Sequence, residues 1–345
     1  MAELTKTKIK SISGKGGGTR KYVIPEKGEA LCELYIQSDG VVYAPAVEDG
    51  VQWETERKGS PGKLTFTVLQ DGKLKFGYGS VVIFKFDQKK VFYGYLFTVN
   101  PQKDGRIKMT AYDQLRYFKN KHTYVYSKKR LDQLLSMICT DFKLMKGSFV
   151  NTKYSMSRVE DNQSLFDIVQ NAVDETVMHT GKLYIMYDDF GKLTLKSMAD
   201  MKVTTLVDDE TAQDYDYTAT IDEDTYNKIQ VYYDNEGTRE YYVANDTYRQ
   251  NVQGILQLTQ KASSQSLAKM QAETLLKLHQ KTKRTLTVKD CFGSPTVRAG
   301  NYIPVMLKLE DMNISNYLLA EKVVHKFSES EHTFDITLIG NQFTE

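Results

Sequence analysis

Only three of the 345 residues are cysteine, Cys32, Cys139 and Cys291. They are too few and too scattered for a disulfide framework, and no C-x-x-C pair offers a zinc knuckle. The expected folding compartment is a reducing cytosol. Charge of one sign is missing too: 46 Lys and Arg against 44 Asp and Glu leave a formal +2. That excludes a strong basic field for recruiting nucleic acid and an acidic disordered-tail composition. No run of about eighteen apolar residues occurs, and residues 1–6 lack a basic region followed by an apolar run. Neither a membrane span nor a signal peptide is therefore expected. Tryptophan occurs once, against 23 Tyr and 15 Phe, a bias that suits strands and wet protein interfaces.

What is present is a repetition. Residues 79–112 and 300–339 read as two copies of one β unit. Gly79 opens a strand with Val82, Phe84 and Phe86 on one face, and Gly300 opens one with Ile303, Val305 and Leu307 at the same offsets. Each copy then makes a hairpin, residues 95–111 and 323–338, ending on an apolar/polar alternation that needs a sheet with one buried face. A module carried twice makes sense where the partners are rings, because duplication converts a small oligomer into a ring of twice as many similar units.

The length predicts two or three domains. Residues 1–29 form a glycine-rich N-terminal arm around Gly14, Gly16, Gly17 and Gly18. Residues 30–118 read as strands separated by Ser-Asp-Gly, Gln-Asp-Gly and Lys-Asp-Gly turns, a small tube-like barrel. The period changes over 119–206. Leu131, Leu134, Leu135 and Ile138 fall at helical spacing, as do Leu165, Ile168, Val169 and Ala172, and a hairpin follows at 184–195. This is an α+β insert. Residues 207–345 comprise an acidic linker (208–224) and a second tube-like barrel with one amphipathic helix at 264–280. The fold class is β-rich α+β: two tube-like β-barrel modules with an inserted α+β domain.

Candidate chemistry is sparse. Gly14-Lys15-Gly16-Gly17-Gly18-Thr19-Arg20 has the composition of a phosphate-binding loop but no Gly-Lys-Ser/Thr triplet, and Lys21 to Pro25 reads as extended rather than helical. Cys291 and His279 could form a thiolate and base, but no third orienting group is marked, and His279 sits on the apolar stripe of a helix. His325 and His332 flank a turn bearing Glu329 and Glu331, without a recognised ligand spacing. Asp208, Asp209, Glu210, Asp214, Asp216, Asp222, Glu223 and Asp224 lack the glycine a calcium loop requires. No catalytic, cofactor-binding or metal residues are assigned, and no cofactor or enzymatic activity is expected.

As an ordered set, Phe76-Gly77-Tyr78-Gly79-Ser80-Val81-Val82, Val91-Phe92-Tyr93-Gly94-Tyr95-Leu96 and Ala111-Tyr112-Asp113-Gln114-Leu115-Arg116-Tyr117 resemble a known family. Asn162-Gln163-Ser164-Leu165-Phe166-Asp167-Ile168, Thr180-Gly181-Lys182-Leu183-Tyr184 and Val297-Arg298-Ala299-Gly300-Asn301 extend the resemblance over roughly 31–340. The family is that of XkdQ/YqbQ-type baseplate hub proteins of contractile phage tails and tail-like bacteriocins (PBSX-like). The resemblance implies a structural homotrimer whose two barrels per chain form a pseudo-sixfold ring. That ring joins the hexameric tail tube to the trimeric spike, with the insert domain outside it against neighbouring baseplate proteins. Through the channel pass the tape-measure protein and, in a true phage, DNA. It further implies synthesis in the bacterial cytoplasm, assembly into the baseplate and no membrane anchor. Tyr112, Asp113, Leu115 and Tyr117 mark the exit from the first barrel, a structural junction. The rival readings are a tail-associated cell-wall hydrolase and a carbohydrate-binding β module.

Overall fold

The computed structural model describes residues 8–11 and 31–340, except 223, 236, 263, 310–312 and 330. The glycine-rich segment lies outside the described residues. Contacts divide the chain into one unit of residues 1–215 with 287–338, and another of residues 216–286 with 339–345.

The first unit opens with β1 (Lys8–Ser11), β2 (Cys32–Ser38), β3 (Val41–Ala44), β4 (Val51–Glu56), β5 (Lys63–Leu69), β6 (Val81–Phe86), β7 (Lys89–Pro101) and β8 (Arg106–Tyr112). The turns follow the punctuation of the sequence. Asp39 and Gly40 both take positive φ between β2 and β3, as a tight hairpin with right-handed strand twist demands. Leu64, Phe66 and Val68 alternate into a core with Trp53, Phe84 and Met109, while the residues between them face outward.

The insert contains β9 (Lys121–Arg130), α1 (Leu131–Asp141), β10 (Lys146–Phe149), β11 (Ser155–Ser164), α2 (Leu165–Thr180), β12 (Tyr184–Asp188) and β13 (Leu193–Ser197). Both expected helices and the hairpin are present. Ser164 caps α2 by accepting the Asp167 N–H at 3.1 Å, and Gly181 ends it at φ +66°. The ribbon of β9 and β11 was not read from the sequence.

Next come β14 (Val207–Asp208) and β15 (Asp214–Thr220), so the acidic stretch is partly strand rather than plain linker. The second unit holds β16 (Lys228–Asn235), β17 (Thr238–Asn245), α3 (Thr247–Gln253), β18 (Gln257–Lys261) and α4 (Gln265–His279). Its sheet order is β17-β16-β18. Helix α4, expected with the second β copy, buries Ala268, Ala272 and Leu275 against Ile229 and Val231 of this sheet. The chain then continues through β19 (Lys283–Cys291), β20 (Tyr302–Lys308), β21 (Asn313–Phe327) and β22 (His332–Ile339).

The two β copies share one strand order and one opening turn. Strands run β6-β7-β8-β5-β4 in the first and β20-β21-β22-β19-β15 in the second. Their opening turns share one hydrogen-bond pattern. The Gly77 N–H donates to Ser80 Oγ at 2.9 Å, and the Arg298 N–H to Asn301 Oδ1 at 2.8 Å. Gly79 (φ +80°) donates to the Leu96 carbonyl, and Gly300 (φ +90°) to that of Ala320, each at 2.8 Å. Leu96 and Ala320 in turn donate to the carbonyls of Ser80 and Asn301, each at 2.9 Å. Positive φ is why both positions are glycine.

Candidate assembly face

Eight strands run side by side in the order β7-β8-β5-β4-β21-β22-β19-β15, four from each copy. The copies meet where β4 pairs antiparallel with β21, from Lys322 opposite Glu56 to Phe327 opposite Val51. Alternation gives this seam two faces. Val51, Trp53, Val323, His325 and Phe327 are buried, and Trp53 stacks on His325 with ring centroids 5.1 Å apart. The opposite face carries Gln52, Glu54, Glu56, Lys322 and Lys326.

That polar face is neutralised pair by pair. Lys322 bridges Glu54 at 2.5 Å and Glu56 at 3.0 Å across the seam, and Glu54 also pairs with Lys63. Lys326 holds Asp290 at 2.8 Å and Asp335 at 2.9 Å. Partial burial pushes Glu54 up, but the ammonium groups of Lys322 and Lys63 outweigh it and hold the carboxyl below its usual range. Each copy also carries a threonine pair: Thr65 lies opposite Thr110 in the first, and the hydroxyls of Thr287 and Thr337 meet at 3.2 Å in the second. Gln52, Thr65, Thr67, Arg106 and Lys108 surround a shallow concavity on this face.

A buried junction ties the first copy, the insert and the second copy together. Asp113 is 4% exposed; its Oδ2 accepts the Gly62 N–H and its Oδ1 the Leu115 N–H, each at 2.9 Å. A side chain at Gly62 would meet Asp113 Oδ2 at 2.4 Å, so glycine is required there. Leu115 enters the insert core with Phe118 and Leu131. Tyr112 and Tyr117 stay with the first copy, packing against Phe97 with centroids 5.6 and 6.2 Å away. The structure thus spreads the four expected junction residues over both sides of the exit, with Asp113 as the tie.

Sequence reasoning missed the partners of that tie. Asp188, at the end of β12, is buried beside Asp113 and accepts the Gly191 N–H at 2.6 Å. Burial first, and for Asp113 the neighbouring Asp188 next, push both carboxyls above their usual range, while Arg298 opposes the shift. Arg298 lies over the Tyr187 ring at 4.4 Å and the Trp53 ring at 5.6 Å, and its Nη1 donates to the Asp188 carbonyl at 2.7 Å. The opening turn of the second copy reaches the first as well, since the Ala299 N–H donates to Thr55 Oγ1 at 2.9 Å. The single tryptophan was the available signal.

The remaining candidates are accounted for locally. Burial pushes the Cys291 thiol up to about 12, which removes its thiolate character. His279 ends α4 half-buried, with Nδ1 3.0 Å from the Asp224 carbonyl, rather than in the core. His325 and His332 do come together: His325 Nε2 donates to the Val297 carbonyl at 2.6 Å, leaving Nδ1 to accept from His332 Nε2 at 2.7 Å. Burial, chiefly, pushes them down to about 3 and about 4. Among the described residues no group of three or more His, Cys, Asp or Glu is placed to hold a metal.

A family model described as YQBQ-like matches residues 51–339. Two proteins of Bacillus subtilis strain 168 align over 320 residues, 90% of this chain and 97% of theirs: YqbQ at 27% identity, and the phage-like element PBSX protein XkdQ at 26%. The fold is similar to that of a 43 kDa tail protein of prophage MuSo2 from Shewanella oneidensis. The TM-score is 0.66 at 12% identity, over 89% of this chain and 98% of that one.

Proposed function

The chain belongs to the YQBQ-like family, and on that premise we propose that it is a structural baseplate hub of phage-tail type. Three copies form a ring of six similar β modules, joining a hexameric tail tube to a trimeric spike around a central channel. The single observation that carries this reading is the duplication, with one sheet order and one opening-turn hydrogen-bond pattern found twice in a chain. A trimer of such chains presents six similar faces on one side and true threefold symmetry on the other.

The polar face of the eight-strand run lines the channel. Its charges are matched locally across Glu54, Lys322, Lys326 and Asp335, so it offers a polyanion or a tape-measure protein no strong hold. The insert stands outside the ring and contacts neighbouring baseplate proteins. The role is not enzymatic, in keeping with relatives that include a protein of the phage-like element PBSX. The chain is made in the bacterial cytoplasm and built into the particle there.

The test is reconstitution with the tail tube and spike proteins of the same particle. The expected result is that the chain caps tube ends and binds spike trimers, while a peptidoglycan zymogram stays blank. Cleavage of peptidoglycan, with no binding to either partner, would replace this reading by that of a hydrolase.

A further inference from the structure

The insert carries a surface that its own packing does not account for. In the two-stranded ribbon of β9 and β11, Tyr124, Tyr126 and Met156 are buried in the insert core. The opposite face sets Val125 directly across from Val159, and the two are 71% and 70% exposed. A strand face turned to solvent is ordinarily polar, and Thr123, Ser127, Ser157 and Asp161 around the pair follow that rule. Two valines in the middle of it are the exception.

Positive charge collects on the same part of the chain. Residues 119–164 hold nine Lys and Arg against four Asp and Glu, a formal +5 that leaves the remainder of the chain at −3. The arginines of the ribbon are engaged locally: Arg130 holds Asp132 at 2.8 Å, and Arg158 holds Glu175 at 2.6 Å as well as Glu160. Lys121 at one end of the ribbon, and Lys128, Lys129 and Lys153 at the other, make no ion pair among the described residues. Two of these sit where lysine is a poor choice. Lys128 occupies the bulge between the Tyr126–Arg158 and Lys129–Met156 pairs at φ +51°, its N–H donating to Ser157 Oγ at 3.0 Å. Lys153 takes φ +65°, its N–H donating to Asn151 Oδ1 at 2.9 Å. Left-handed backbone favours Gly, Asn and Asp, so nothing local selects lysine at either position. A bulge re-aims a side chain, and the one re-aimed here is a cation.

We propose that the outer face of this ribbon is the docking surface of the insert, and that its occupant is an acidic segment of a neighbouring protein with an apolar side chain between its carboxylates. This rests on the hub reading above and names the surface and the partner chemistry of the insert. The valine pair receives the apolar side chain, and the lysines at the two ends pair with the flanking carboxylates. Charge left unmatched within the chain is thus matched across the contact, which steers and orients the partner. The chemistry favours protein over nucleic acid. The arginines that would grip phosphates are already paired, and the outer face offers no aromatic ring for a base to stack on.

The test uses the full chain and the other baseplate proteins of the same particle, each produced separately and offered in turn. The expected result is that one of them binds, about tenfold or more weakly when salt rises from about 50 to about 200 mM. A zero-length carbodiimide, which joins an ammonium to a carboxylate in contact with it, should couple at least one of Lys121, Lys128, Lys129 and Lys153 to an Asp or Glu of that protein; this readout needs no substitution. Lys128→Glu with Lys129→Glu should weaken the binding by about tenfold or more, and Val125→Ser with Val159→Ser by a smaller factor, the mass of the chain in solution staying unchanged. Binding that both variants leave as in the unaltered chain, with coupling only through other lysines, would overturn this surface while leaving the hub standing. Retention of duplex DNA by the unaltered chain and not by the lysine variant, with no carbodiimide product, would overturn it in favour of nucleic acid. Failure of the unaltered chain to bind tube, spike or any other baseplate protein would overturn the hub reading and this contact together.

Discussion

The two β copies differ most at one hairpin. In the first, β4 and β5 are joined by residues 57–62; in the second, the corresponding β15 and β19 are separated by residues 221–282, which hold most of the second unit. The opening turns, by contrast, agree hydrogen bond for hydrogen bond. A hairpin tip tolerates insertion because its backbone already faces solvent. A turn built on positive φ and three specific bonds does not. The copies also use their edges differently: the second engages its β21 edge with β4, whereas residues 97–101 of β7 carry no strand on the corresponding edge among the described residues.

The sharpest way to break the comparison is at its two glycines. A β-carbon on Gly300 would come 2.4 Å from Ile185 Cγ2, whereas one on Gly79 would meet nothing within 4 Å. Both substitutions strain a positive φ, at about 1–3 kcal/mol, and only Gly300→Ala adds overpacking, about 1–3 kcal/mol more. Denaturant unfolding should therefore show Gly300→Ala destabilised by about 4 kcal/mol and Gly79→Ala by roughly half of that. Equal losses would mean that the contact with the insert contributes nothing.

A smaller effect is expected at the junction between the copies. Asp113→Ala orphans the buried N–H groups of Gly62 and Leu115, costing about 2–3 kcal/mol. Asp113→Asn removes a charge that burial and Asp188 already oppose. It should cost clearly less, and a melt series of the two variants checks the order.

The histidines of the second copy sharpen the contrast through pH. Both are depressed, to about 3 for His325 and about 4 for His332, chiefly by burial. The stability they contribute is present above the ordinary value near 6.5 and is lost as pH falls through that value toward 4. The raised carboxyls of Asp113 and Asp188 act in the opposite direction, losing their contribution as pH rises above about 4. Comparing the unaltered chain with His332→Gln isolates the contribution of His332. The loss between pH 7 and pH 5 should be smaller in the variant by about 1 kcal/mol.

The smallest effect should follow from making the copies alike. Replacing residues 221–282 by the sequence of residues 57–62 should shift the unfolding midpoint of the remaining unit by only a few degrees, about 1 kcal/mol or less.

Much of this organisation was legible in the sequence, for physical reasons. Gly79 and Gly300 announce turns that only glycine enters readily, and the apolar offsets after them mark the buried face of β20 and the Val82, Phe84 and Phe86 face of β6, whose other face is buried as well. Helices α1 and α2 were readable from their apolar period and, for α2, from Ser164. The ribbon of β9 and β11 was not, because its outer face is largely polar and only Tyr124, Tyr126 and Met156 mark the inner one. Asp214 to Thr220 reads as linker because its acids hide a strand that acquires meaning only beside β19. Asp113 could be singled out, but not its dependence on Asp188 and Arg298. The match of Glu54 to Lys322 was likewise invisible, since it depends on strands far apart in the chain meeting at one register.

The most direct measurement is the mass of the purified chain by light scattering from micromolar to nanomolar concentration, with electron-microscope class averages of the same sample. A particle of three 39.5 kDa chains, with top views showing six similar lobes around a hole, is the predicted result. A monomer at every concentration that also stays monomeric on the spike protein would contradict the ring.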